Sequence, residues 1–224
     1  MDAICNFLVP VKHKGNNGQA VVSDPLASLY GSLRALLNKD HVVLHFVSAT
    51  SGEGASTVAR EFATLAEKRG NRRTLLIDGN LQNPDTSRKF GCLPDRGLMD
   101  SERNFRKLEK SLQPVDDSGL WVGRLQGAGA GDALQPDEMR KAYALFKEQF
   151  DLTVIDCPPI SSEHYADLMP EIVDGVVLVI RAEATRPAIV AHAKETVVQL
   201  GGTVLGAVLN RRKDYIPKFI YRYL

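Results

Sequence analysis

Residues 47–57 read Val-Ser-Ala-Thr-Ser-Gly-Glu-Gly-Ala-Ser-Thr and carry the residue types of a phosphate cradle. Gly52 and Gly54 allow backbone conformations closed to bulkier residues, so successive N–H groups can converge on an anion. Ser56 stands where such loops hold Mg²⁺ through a hydroxyl, and Thr57 opens a helical pattern whose N-terminus adds a positive dipole end. One position departs from G-x-x-x-x-G-K-[ST]: Ala55 takes the place of the lysine. Ala49 stands at the first glycine, a milder change that still allows a tight turn. The missing ammonium is the larger loss, because it normally reaches the β- and γ-phosphates during transfer. Removing one preorganised charge contact of this kind costs about 10²–10³ in rate.

Two carboxylates are placed to join that loop. Residues 73–78, Arg-Thr-Leu-Leu-Ile-Asp, form a short apolar strand ending in Asp78, and residues 150–156 form a second ending in Asp156. In an open parallel sheet the carboxyl ends of the strands face the ligand crevice, so both side chains are aimed where the loop is. Alone, an aspartate at a strand end is more often a turn former or helix cap. Behind a phosphate loop, Asp156 is in the position of the carboxylate that holds or orients the Mg²⁺ shell. Pro158 and Pro159 stop its strand. Cys157 reads as a small core residue.

The elements needed to position these groups follow from hydrophobic patterning. An apolar run over 42–47 leads into the loop as a strand, and a helical pattern over 57–69 leads out, with Gly70 as its stop. Further strands are expected over 120–123, 174–181 and 203–209. Helices are expected over 25–38, 136–146 and 188–200, with a short one over 87–90 and a charged helix or excursion over 102–112. Continuous Val/Ile/Leu runs alternating with helices are what a parallel sheet covered on both faces produces. The expected fold is therefore α/β, a doubly wound and mainly parallel sheet. Its limits are read as an irregular lead-in over 1–25 with one short strand near 4–9, a P-loop domain over 26–212, and a tyrosine-containing tail over 213–224. The glycines and proline of 126–136 mark the most flexible-looking stretch.

Composition excludes several classes. The 28 Lys and Arg residues balance 27 Asp and Glu, so no overall field favours nucleic acid or an acidic membrane. Three widely spaced cysteines, at 5, 92 and 157, indicate neither a disulfide framework nor a zinc site. A reducing cytoplasm is expected, with no signal peptide and no run of about 18 apolar residues that would span a bilayer. The aromatic, basic tail suits packing on the domain or a partner, with an interfacial membrane contact as the weaker reading.

In combination, the motifs resemble those of the bacterial tyrosine kinases, P-loop proteins of capsule and exopolysaccharide synthesis. The likeness runs from about residue 25 to the C-terminus. Ser48 and Gly52, Glu53, Gly54, Ser56 and Thr57 match the family loop S-x-x-P-G-E-G-K-S-T, with Ala55 the exception. Residues 75–84 correspond to L-L-I-D-A-D-x-R-x-P, and Asp151 through Pro159 match D-x-V-I-I-D-x-P-P. The resemblance implies a P-loop NTPase of the deviant, partitioning-ATPase-like type that binds ATP or ADP with Mg²⁺. Gly52 to Thr57 would then surround the nucleotide, Ser56 and Asp156 would manage the metal, and Asp78 would act on the attacking hydroxyl or the metal shell. Asn210 and Arg211 would lie near the adenine, and Tyr215, Tyr221 and Tyr223 would be phosphoacceptors. It also implies a membrane polysaccharide co-polymerase as partner, and a place at the inner face of the membrane through that partner.

Departures gather on the chemistry. Asn80 replaces the second carboxylate of the second motif and Gln82 its arginine. The family's E-x-x-R-x-x-R ring motif aligns with Ser28, Gly31 and Arg34, which leaves self-association open but without that ring. The leading expectation is a regulatory subunit with weak or absent kinase activity. The second is an active autokinase in which another cation, with Arg60 a candidate, replaces the lysine. The third is a partitioning or positioning ATPase of the related fold.

Overall fold

The structure is a computed structural model that describes residues 8–11, 24–70, 72–80, 82–92, 98, 111–125 and 136–212. Its strands are β1 (Leu8–Val11), β2 (Val42–Ser48), β3 (Thr74–Asp78), β4 (Gln113–Pro114), β5 (Leu120–Arg124), β6 (Leu152–Asp156), β7 (Gly175–Arg181) and β8 (Val204–Asn210). Its helices are α1 (Asp24–Leu37), α2 (Ala55–Gly70), α3 (Asp85–Lys89), α4 (Pro136–Gln149) and α5 (Pro187–Gln199), with 3₁₀ turns at Glu163–Leu168 and Pro170–Ile172.

One eight-stranded sheet runs β1-β8-β7-β2-β6-β3-β5-β4. Every pairing is parallel except the antiparallel contact of the two-residue β4 with β5. Strands β2, β3 and β6 are buried along their whole length, which is why they read as unbroken apolar runs. Alternation survives inside those runs. Val42, Leu44 and Phe46 of β2 face one cluster with residues of α1 and α2, while Val43 and Val47 face the other with residues of α4 and α5. Helices thus cover both faces, which is the doubly wound arrangement expected. Phe62 of α2 lies on Phe46 of β2 with ring centroids 5.0 Å apart, and both are fully buried. Each such side chain contributes roughly 1.5–3 kcal/mol of burial.

Several boundaries differ from the pattern-based expectation. Helix α2 begins at Ala55 rather than Thr57, because the Gly54 carbonyl accepts from both Thr57 N at 3.1 Å and Val58 N at 3.0 Å. The first strand falls at Leu8–Val11 rather than 4–9, and it pairs in parallel with β8. The short edge β4 and the two 3₁₀ turns were not expected. Residues 102–110 of the expected charged helix or excursion over 102–112, residues 126–135 of the glycine-rich stretch over 126–136, and the tail of 213–224 lie outside the described residues. So do the three candidate phosphoacceptors Tyr215, Tyr221 and Tyr223.

Candidate nucleotide site

Strands β2, β3 and β6 are neighbours, and their carboxyl ends bring the loop and the two aspartates together. Asp78 and Asp156 are direct cross-strand partners, and Phe46 of β2 is the partner of Asp156 on the other side. The loop takes the backbone its glycines predict, with φ of +83° at Gly52 and +96° at Gly54. At Gly54 a second constraint applies: a Cβ there would meet Asn210 Nδ2 at 2.2 Å.

Asn210 is fully buried and its amide is committed to the loop. Its Nδ2 donates to the Glu53 carbonyl at 2.7 Å, and its Oδ1 accepts from Arg211 N at 2.9 Å. Arg211 itself is exposed with φ of +58°. Glu53 is also buried, with its carboxylate turned into the protein. It accepts from Thr50 N at 2.9 Å, from Arg181 N at 3.5 Å and from the Thr185 hydroxyl. The Glu53 side chain therefore fastens the loop to the end of β7 while its backbone carbonyl is held from β8 by Asn210, and the sequence pattern alone did not reveal that role. Ala55 packs within the apolar cluster beneath the helix.

The carboxylates are buried and differently bound. Asp78 Oδ2 accepts from Ser87 N at 2.8 Å and Oδ1 from Asn80 N at 3.2 Å. Burial raises its pKa, against the opposing pull of the Ser87 and Asn80 hydrogen bonds and the Arg124 charge. Asp156 Oδ2 accepts from the Thr86 hydroxyl at 2.5 Å, while Oδ1 has no hydrogen-bond partner. Burial pushes the Asp156 carboxyl up to about 7; the Thr86 hydroxyl opposes this, the Asp78 charge adds to it, and the Ser56 hydroxyl and Arg60 charge oppose it more weakly.

Arg60, the candidate substitute cation, lies beneath the loop. Its Nη2 donates to Thr57 Oγ1 at 3.2 Å, and its Nη1 donates to Thr86 Oγ1 and to Asp85 Oδ2, each at 3.0 Å. The short helix expected over 87–90 begins two residues earlier, at Asp85, and the residues of that first turn contact Asp78, Asp156 and Arg60. Asn80 acts as a turn former, its side-chain oxygen accepting from Asn83 N at 3.2 Å. Cys157 is buried with its thiol pushed well up by burial, so it is no activated nucleophile.

The site suits a hard divalent cation bound together with phosphate oxygens. A buried carboxylate oxygen without a partner is costly unless something binds it, and a Ser56 hydroxyl beside the same carboxylate completes an all-oxygen donor set. Among the described residues no group of three His, Cys, Asp or Glu side chains is placed to hold a metal without other ligands.

No protein-family model matches the chain. Sequence comparison finds tyrosine-protein kinase YwqD of Bacillus subtilis, 29% identical over 169 residues, covering 74% of this chain and 70% of that protein. It also finds tyrosine-protein kinase CpsD of Streptococcus agalactiae, 28% identical over 188 residues and covering 81% and 80%. These relatives are bacterial tyrosine-protein kinases. A longer protein similar to this chain, the succinoglycan biosynthesis transport protein ExoP of Rhizobium meliloti, is 23% identical over 181 residues; the match covers 79% of this chain and 23% of ExoP. The kinase domain of the Escherichia coli tyrosine kinase ETK superposes with a TM-score of 0.72 at 18% identity, covering 96% and 93% of the two chains. The cell division ATPase MinD of Pyrococcus furiosus superposes with a TM-score of 0.61 at 23% identity, covering 81% and 78%. At these identities the two structures establish the shared P-loop fold. Among the described residues no helix is long and apolar enough to cross a membrane.

Proposed function

We propose that the chain is a nucleotide-binding regulatory subunit of exopolysaccharide or capsule biosynthesis, built on the bacterial tyrosine kinase scaffold, with kinase activity weak or absent. One observation supports the reading: the loop and both carboxylates meet at the ends of β2, β3 and β6, with Ser56 beside Asp156, while position 55 is an alanine packed in the apolar cluster where the family loop carries a lysine. ATP or ADP would lie over Gly52 to Thr57, with Asn210 and Arg211 at its base side. Mg²⁺ bound with it would neutralise phosphate charge. Ser56 and Asp156 would hold that ion, and Asp78 would orient the attacking hydroxyl or the metal shell. Tyr215, Tyr221 and Tyr223 would be the acceptor candidates of any residual transfer. The kinase relatives and ExoP support a membrane polysaccharide co-polymerase as partner, with the chain held at the inner face of the membrane through it.

Calorimetric titration with ADP or ATP and Mg²⁺ tests this reading. Wild-type protein should bind, and Asp156→Ala should bind at least about 10-fold more weakly. Radiolabelled phosphate transfer to tyrosine should be near background and should rise about 10-fold or more in Ala55→Lys. Unchanged affinity and turnover in Ala55→Lys would count against the loop assignment. Strong wild-type transfer abolished by Asp156→Ala would favour the second reading, an active autokinase, which the intact carboxylates support. Nucleotide-dependent dimerisation would favour a positioning ATPase, which the likeness to MinD supports.

A further inference from the structure

We propose that Arg60 is a positioning residue for the metal side of the site: through Thr86 it fixes Asp156 and supplies, from beneath the loop, positive charge that the loop does not carry at Ala55. This rests on the reading that the site takes a nucleotide with a divalent cation. Helical side chains lean toward the N-terminus, so a residue three positions after Thr57 returns its head group to the level of the first turn. Arg60 does so, reaching the Thr57 hydroxyl at 3.2 Å. Its guanidinium side chain is 11% exposed, and Thr86 is fully buried.

Proton direction gives the contact its meaning. An arginine can only donate, so Thr86 Oγ1 accepts from Nη1 through a lone pair, and its one proton is left for Asp156 Oδ2. Oδ2 is thereby occupied, and Oδ1 becomes the oxygen offered to a ligand. Without Arg60 the Thr86 hydroxyl loses the donor that holds its oxygen, and only its own bond to Asp156 is left to set its orientation.

A plainer role would be a tie between α2 and α3 through Asp85. Asp85 does not need Arg60 for that, since Lys89 Nζ also lies 3.2 Å from the same carboxylate oxygen. Its side chain is 39% exposed, a setting in which ion pairs contribute little. The two roles separate experimentally: a tie acts on stability, whereas positioning acts on the metal requirement.

The test is the Mg²⁺ concentration that half-saturates ADP binding, followed by calorimetry, with Mn²⁺ substituted for a spin-resonance readout of the bound metal. Arg60→Gln and Thr86→Val should each raise that concentration about 10-fold or more, in the range seen when a group orienting a metal ligand is removed. Thr86→Ser, which keeps the hydroxyl, should stay within about 3-fold of wild type, and so should Asp85→Asn. Thr86→Val keeps shape and volume and leaves the test valid even where Arg60→Gln folds poorly. An unchanged Mg²⁺ requirement in Thr86→Val, or an equal rise in Asp85→Asn, overturns the inference alone. Wild-type protein that binds no ADP at any Mg²⁺ concentration overturns the nucleotide reading and this inference with it.

Discussion

Two buried polar clusters lie on the same sheet and are built on opposite terms. At the strand ends, Asp78, Asp156, Thr86, Ser87 and Arg60 form a charged group in which one oxygen, Asp156 Oδ1, is left over. In the face covered by α4, His45 of β2, Tyr143 of α4 and Tyr165 form a neutral group, and Thr153 of β6 is a further buried polar residue, paired in register with Val43. His45 Nε2 lies 3.0 Å from the Tyr143 hydroxyl, which donates to the Leu168 carbonyl at 2.9 Å. Tyr143 has spent its only proton, so Nε2 carries the ring proton and Nδ1 is a bare acceptor. Nδ1, the Tyr165 hydroxyl and Thr153 Oγ1 have no hydrogen-bond partners. The same desolvation acts on both clusters, pushing His45 down to about 3 and Asp156 up to about 7. Only the strand-end cluster opposes it with a nearby cation and hydroxyls. A leftover atom on a compensated carboxylate beside a phosphate loop is a place for a ligand, whereas leftover neutral atoms in an aromatic core lower stability without binding anything.

The contrast can be broken most forcefully at Gly54. Gly54→Ala would drive a Cβ into Asn210 and impose a positive φ on alanine, so it should cost about 3 kcal/mol in chemical denaturation and abolish ADP binding. Gly52→Ala, with open space around it, should cost only about 1 kcal/mol. Equal effects would show that Asn210 does not hold the loop.

Acid sharpens the neutral side. His45 has a folded pKa below its unfolded value, so its stability contribution is full above about 6.5 and is lost as pH falls toward its folded value near 3. Wild type should therefore lose about 2 kcal/mol between pH 7 and pH 5 that His45→Gln does not lose. Tyr143 and Tyr165, both pushed further up by burial, do not titrate in that window. Parallel pH profiles for the two proteins would refute a neutral buried histidine. ADP binding at pH 7 should be the same in both.

The smallest effect belongs to Tyr165→Phe, which removes a buried hydroxyl without a partner. It should change stability by less than about 1 kcal/mol, and in the stabilising direction. A clear loss by thermal unfolding would mean that the hydroxyl is satisfied in solution.

How much of this was legible in the sequence depended on the range of the interactions. The loop and both aspartates were visible because each is punctuation at the end of an apolar run, and the fold class because buried parallel strands are nearly all Val, Ile and Leu. His45 broke no pattern, since in a fully buried strand one polar residue shifts no period. Arg60 was noticed as a cation but not placed, because its partner Thr86 is 26 residues away and Thr86's own acceptor is 70 residues further. Glu53 looked like part of the motif and proved to be an anchor, whose partners Arg181 and Thr185 arrive from a later strand and the loop that follows it. The start of α2 was misread by two residues because a carbonyl shared by two donors leaves no trace in residue type.

Glu53 and Asn210 also have a mechanical side. The loop is suspended from β7 and β8, on one side of β2, whereas the aspartates stand on β6 and β3, on the other. The gap between phosphate cradle and carboxylates is thus gauged by the width of three adjoining strands, so a shear of one half of the sheet against the other would change the grip on a bound nucleotide.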